Sequence, residues 1–157
     1  MLLLSVILLL CLSAFFSGTE TAVMALDRYQ VRTLSEEGDT HAYKLMQYLK
    51  DPERFFAVVL LGNTFANIAA ASIFTIWVQT LQGELMILSA SIAFPIAVLL
   101  FCEFWPKSFA ARYALPMSMR VVGIIRMVEW LFYPLLFLMR IIMRVMNRTQ
   151  QKGERLT

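Results

Sequence analysis

Ser13, Ser17 and Glu20 are spaced four and three residues apart, so on a helix they share one face, and Met24 extends it. Asn63 and Asn67 repeat the four-residue spacing further along, directly after Gly62. Glu103 stands between Pro95 and Pro106, with Lys107 one turn beyond it. These residues offer hydroxyl, amide and carboxylate oxygens. Each proline also removes a backbone donor, which would free the carbonyl of Ser91 or of Cys102. All are hard oxygen donors, suited to Mg²⁺, Ca²⁺ or Na⁺ rather than to a soft metal. The chain has one histidine, His41, and two cysteines, Cys11 and Cys102, both in apolar runs. That is too little for a zinc or iron–sulfur site or a disulfide framework.

The elements that must position these oxygens are strongly apolar. Of 157 residues 59% are hydrophobic, and the mean hydropathy is +0.67, where a soluble domain is nearer half apolar. The apolar residues form four blocks, at about 1–26, 55–82, 85–102 and 121–139. A spanning helix needs about 20 mainly apolar residues. The sequence therefore predicts an all-α membrane protein with spans at about 2–26, 52–81 and 85–107. The opening run lacks the basic flank of a signal peptide and stays apolar to Leu26, so it reads as an uncleaved helix. A carboxylate at mid-span costs roughly 2.5–3.5 kcal/mol on insertion scales, which makes Glu20 and Glu103 candidates for function. Gly62, Ala66 and Ala70 form a small-residue ridge that lets helices approach closely in lipid.

Residues 27–51 between the first two spans read as a helical hairpin. Ala42, Leu45, Met46 and Leu49 follow the spacing of an amphipathic helix. Gly38 closes the preceding helix and Asp39 or Thr40 opens the next. Asp51-Pro52-Glu53 is a cap, a first-turn proline and a first-turn acid. In the fourth block Arg126, Glu129, Arg140, Arg144 and Arg148 fall within roughly a 100° arc of a helix. That pattern predicts an amphipathic juxtamembrane helix at about 117–146, kinked at Pro134 and lying in the interface, over the alternative of a fourth span with a tolerated Arg–Glu pair. A polar tail, 147–157, follows. Lysine and arginine occur only in the first connection and at or after Lys107. The positive-inside rule then puts the N-terminus outside and both the hairpin and the C-terminus in the cytoplasm.

Three stretches, "FSGTETAVMALDRYQVRTLSEEGD", "LKDPERFFAVVLLGNTFANIAAAS" and "EFWPKSFAARYA", resemble the CNNM/CorC family in order and spacing over most of 16–114. Gly62-Asn63-Thr64 stands where that family often has Gly-Asn-Asn, and Cys102 where it often has Gly. The resemblance implies a homodimer with three spans per subunit, a belt-like juxtamembrane helix and a bacterial inner-membrane location. It also implies a dehydrated Mg²⁺ site. By residue match Ser17, Asn63 and Glu103 are its first ligands and Ser13 and Asn67 its second, with backbone carbonyls near Gly62 and at the broken end of the third span. The family usually carries a cytosolic CBS-pair domain that binds ATP. No such domain follows here, so the expected unit is the membrane module, 1–146.

The expected function is Mg²⁺ transport by alternating access, exporting Mg²⁺ with Na⁺ moving inward as the resemblance suggests. The alternative is a non-transporting scaffold or Mg²⁺ sensor in which the oxygens are helix glue. No enzyme activity is expected. An intramembrane hydrolase using Ser17 lacks a base at the right depth. The basic residues suit anionic membrane lipid rather than nucleic acid.

Overall fold

A computed structural model describes residues 1–138 and 141, and among these there is helix and no strand. Expectations for Arg140, Arg144 and Arg148, for the belt helix beyond 138 and for the tail lie outside the described residues. Helices α1 (Leu2–Met24) and α4 (Pro52–Val78), together with the stretch Glu84–Arg112, are long and apolar enough to cross a membrane. This is an all-α membrane protein.

Between α1 and α4 lies a hairpin of α2 (Arg28–Glu36) and α3 (Thr40–Lys50). Its boundaries follow from local chemistry. Asp39 caps α3 by accepting from the N–H groups of His41 at 2.7 Å and Ala42 at 3.0 Å. These bonds, that of Ala42 foremost, hold the Asp39 carboxyl below its ordinary range. Asp51 accepts from the Arg54 N–H at 3.3 Å, and Pro52 begins α4. The apolar stripe of α3 is buried, with Ala42 and Leu45 fully inside and Met46 partly so. It packs with Val31, Phe55 and Ile125 in one cluster that closes the hairpin end of the bundle.

Helix α1 is the hub. It packs most extensively on α4. It also packs on the third span, which ends in α6 (Trp105–Arg112), and on α7 (Ala114–Leu131). Lipid is as apolar as the side chains, so helix contacts there rest on close packing and polar contacts. Ala66 and Ala70 are fully buried, as the ridge requires. A Cβ on Gly62 would overlap Phe16 Cζ and lie 2.6 Å from Phe16 Cε2, so the Phe16 ring fills the space that the glycine leaves open. Gly18 admits α6 and α7 on the other side, where a Cβ would meet Met117 Cε at 2.9 Å and the Pro106 carbonyl oxygen at 3.5 Å.

Three expectations are corrected. The third span is not broken at its prolines. Helix α5 (Glu84–Ala97) carries Pro95 within it, passes into a π-helical segment, Val98–Phe104, and continues as α6. At its end the Trp105 N–H bonds to the Leu100 carbonyl, five residues back, the spacing of a π turn. Second, Met24 is exposed and does not continue the buried face of Ser13 and Ser17, because α1 ends there. Third, Glu129 does not lie on an outward polar arc beside Arg126. It is buried, because its face of α7 packs on α3 and α4. Helices α1 and α4 end at Met24 and Val78. The interruption near Pro134 falls at Phe132, where α7 ends in a turn and helix resumes over 133–138.

Candidate cation site between the first two spans

Ser13 and Ser17 lie on the face of α1 turned into the bundle, 0% and 1% exposed. Across the seam, α4 presents Asn63 and Asn67 one turn apart. The Ser13 hydroxyl donates to Asn63 Oδ1 at 2.8 Å. The Asn67 amide nitrogen approaches the same oxygen at 3.5 Å. Two buried oxygens beside this pair have no hydrogen-bond partner among the described residues, Ser17 Oγ and Asn67 Oδ1. The neighbouring hydroxyls are satisfied within their helix: Thr19 donates to the Phe15 carbonyl at 2.7 Å and Thr21 to that of Ser17 at 3.4 Å. The structure thus brings Ser13, Asn63 and Asn67 together, with Ser17 one helical turn away. Gly62 adjoins them, and its lack of a side chain seats Phe16.

Glu103 is placed differently. It belongs to the π segment, which packs on α1. Among the described residues no hydrogen bond joins it to Ser17, Asn63 or Asn67. It lines a groove of about 540 Å³ with Leu99, Leu100, Phe104, Lys107 and Ser108. Lys107 turns from Glu103 to Glu20, with Nζ 3.5 Å from the carboxylate. This ion pair joins α1 to α6.

Among the described residues no three of His, Cys, Asp or Glu lie close enough to hold a metal ion. A cation in the seam would meet neutral hydroxyl and amide oxygens, with Glu103 the acid on the neighbouring element.

Sequence reasoning missed two further features. Ser118 on α7 is fully buried with a hydroxyl that has no partner among the described residues, and no polar neighbour at helical spacing marks it. Glu129 accepts from the Tyr48 hydroxyl at 2.8 Å and from the Arg54 guanidinium. Its one visible signal was an acid on an otherwise basic helix. Burial, and then the bond to Glu129, raise the Tyr48 phenol above its ordinary value.

An all-α membrane module with a polar seam between closely packed spans is the class that the fold defines. The family model of the cyclin M transmembrane N-terminal domain matches residues 3–156, and the chain belongs to that family. It is 36% identical over 138 residues to a UPF0053 protein of Haemophilus influenzae, covering 87% of this chain and 33% of the relative. It is 33% identical over 137 residues to the UPF0053 inner membrane protein YfjD of Escherichia coli, covering 87% and 32%. The metal transporter cnnm-1 of Caenorhabditis elegans is 26% identical over 132 residues, 81% of this chain and 15% of that one. A polyamine export protein of Escherichia coli is 34% identical over 61 residues, 37% of this chain and 14% of that one. The chain spans about a third of the length of the bacterial UPF0053 relatives.

Proposed function

We propose that this chain is the membrane module of a metal-ion transporter that carries Mg²⁺ through the α1–α4 seam. The observation that carries the reading is the pair of buried, unpartnered oxygens, Ser17 Oγ and Asn67 Oδ1, flanking the Ser13–Asn63 bond. Leaving such groups unpaired costs about 1–3 kcal/mol each, a cost that a passing cation would offset. Ser17 and Asn63 form the core of the site and Ser13, Asn67 and the Gly62 carbonyl its margin. Glu103 supplies the negative charge that offsets ion desolvation when the π segment moves against α1. π-helical turns are rare and frequently occur at functional sites.

The same reading has the protein in a bacterial inner membrane, with the N-terminus outside and the hairpin and C-terminus in the cytoplasm. Na⁺ entry drives Mg²⁺ export. Two copies pair as a homodimer in the lipid, and a cytosolic CBS-pair domain regulates the full-length protein. The family membership and the named metal-transporter relative support the transport role, and the named inner membrane relative supports the location. Transport is the proposed activity, with no catalytic step.

A second reading is favoured by the Ser13–Asn63 bond itself, which is the kind of contact that glues helices. In that reading the module is a scaffold or sensor and any ion is structural. Binding and flux separate the two. Purified protein should bind Mg²⁺, with affinity about tenfold or more weaker in Ser17→Ala and Asn63→Ala and unchanged in Ser72→Ala, an exposed residue elsewhere on α4. Equal affinity in all four proteins would rule the seam out as the binding site. Mg²⁺ binding without flux would leave only the scaffold. Spermidine flux in place of Mg²⁺ would move the cargo to the polyamines.

A further inference from the structure

Where α3, the start of α4 and α7 meet, Lys44, Gln47, Tyr48, Arg54 and Arg126 line a cavity of about 130 Å³. That is room for a few waters, at roughly 30 Å³ each, or for one compact oxyanion. Three of its five lining groups are cations, and they come from three different helices. Among the described residues the lining contains no acid. Glu129, behind it, is held by Tyr48 and Arg54, and Asp51 adds a nearby negative charge on the Arg54 side. Lys44 and Arg126 form no ion pair among the described residues. The Glu129 contact engages Nε of Arg54, which fixes the plane of the guanidinium and leaves its remaining N–H groups to point elsewhere. Gln47 adds an amide donor. The lining is therefore a set of donors with an excess of positive charge, one of them held in place by Glu129, the arrangement that recognises a phosphate.

We infer that this cavity binds the phosphate of an anionic phospholipid headgroup at the hairpin end of the bundle. The surface beside it argues for a lipid over a soluble phosphate. Arg126 is followed on α7 by the exposed apolar side chains Met127, Trp130 and Leu131, with Tyr133 next. Aromatic residues of this kind sit at headgroup level, so acyl chains could lie along α7 while the phosphate enters the cavity. Basic pockets between helices at that level are a known form of headgroup recognition. The ligand would lock α7 to α3 and α4, the same joint that Glu129 holds from within. This site is separate from the α1–α4 seam, and cation binding there is not required for it.

The test uses purified full chain in a neutral detergent. Its melting temperature is followed on addition of phosphatidylglycerol, phosphatidylcholine or inorganic phosphate. Phosphatidylglycerol should raise it and phosphatidylcholine should not. The concentration needed should rise about fivefold in Lys44→Gln and again in Arg126→Gln, with the shift lost in the double variant. Both variants leave the Tyr48–Glu129–Arg54 contacts intact, so their own melting temperatures without lipid should match the parent. A rise with inorganic phosphate alone, lost in the same variants, would keep the pocket and overturn its assignment to lipid. No rise with either anion, or an equal rise in the double variant, would overturn the inference.

Discussion

At Gly62 the Phe16 ring occupies the volume that any side chain would need, since three of its carbons stand where a Cβ would have to fit. Gly62→Ala should therefore force the ring or the α1–α4 spacing to move. Overpacking of this kind costs about 1–3 kcal/mol, read as a lower melting temperature, and Phe16→Leu in the same chain should recover part of it. An unchanged melting temperature would mean that the seam is looser than its geometry. Tyr48 makes a prediction about pH. Its neutral phenol is favoured in the fold by burial and by donation to Glu129, so its folded pKa lies above its unfolded value near 10. Stability from this group is complete below about pH 10 and falls as pH rises past that value. Thermal melts from pH 8 to 11 should show an alkaline loss that is smaller in Tyr48→Phe. Parallel curves for the two proteins would contradict the assignment. Ser13, Ser17, Asn63 and Asn67 were legible as a shared set because helical spacing is a local signal. The partners of Lys107 and Glu129 were not. Lys107 could reach Glu103 or Glu20, and only the packing of α6 on α1 decides for Glu20.

The helices themselves follow from short-range chemistry. Long apolar runs give the three spans, and Asp39, Asp51 and Pro52 set the ends of α3 and α4. The π segment is the element that sequence reasoning misread. Pro95 and Pro106 suggested a broken helix with free carbonyls, but a wider turn keeps the chain helical between them. That choice depends on how the span lies along α1, which no local pattern records. The same element-level packing makes a charge-swap prediction. Glu20 and Lys107 tie α1 to α6 across 3.5 Å, with both side chains partly exposed, so the pair contributes modestly. Glu20→Lys and Lys107→Glu should each lower the melting temperature and the double swap should restore most of it. Additive losses in the double variant would show that the contact carries no coupling. Under the proposed function, in which Glu103 sits at the ion, Glu20→Gln should reduce Mg²⁺ flux far less than Glu103→Gln.

At the scale of the molecule, α1 packs on both α4 and the third span, and the proposed site draws on both. Ser13 bonds to Asn63 on α4, and Glu103 belongs to the third span. A cycle that joins and separates them would load and release a cation without a permanent acidic cage. Helix α5 buries none of its residues within the subunit, which leaves its apolar face for lipid or for the second copy that the proposed function includes. The most direct measurement is Mg²⁺ flux through the purified chain in liposomes, with and without an opposing Na⁺ gradient. Flux should appear and the Na⁺ gradient should accelerate it. Ser17→Ala, Asn63→Ala or Glu103→Ala should each cut it about tenfold or more, and Ser72→Ala should leave it unaffected. Flux that persists unchanged in all three site variants would show that the cation does not pass through the α1–α4 seam.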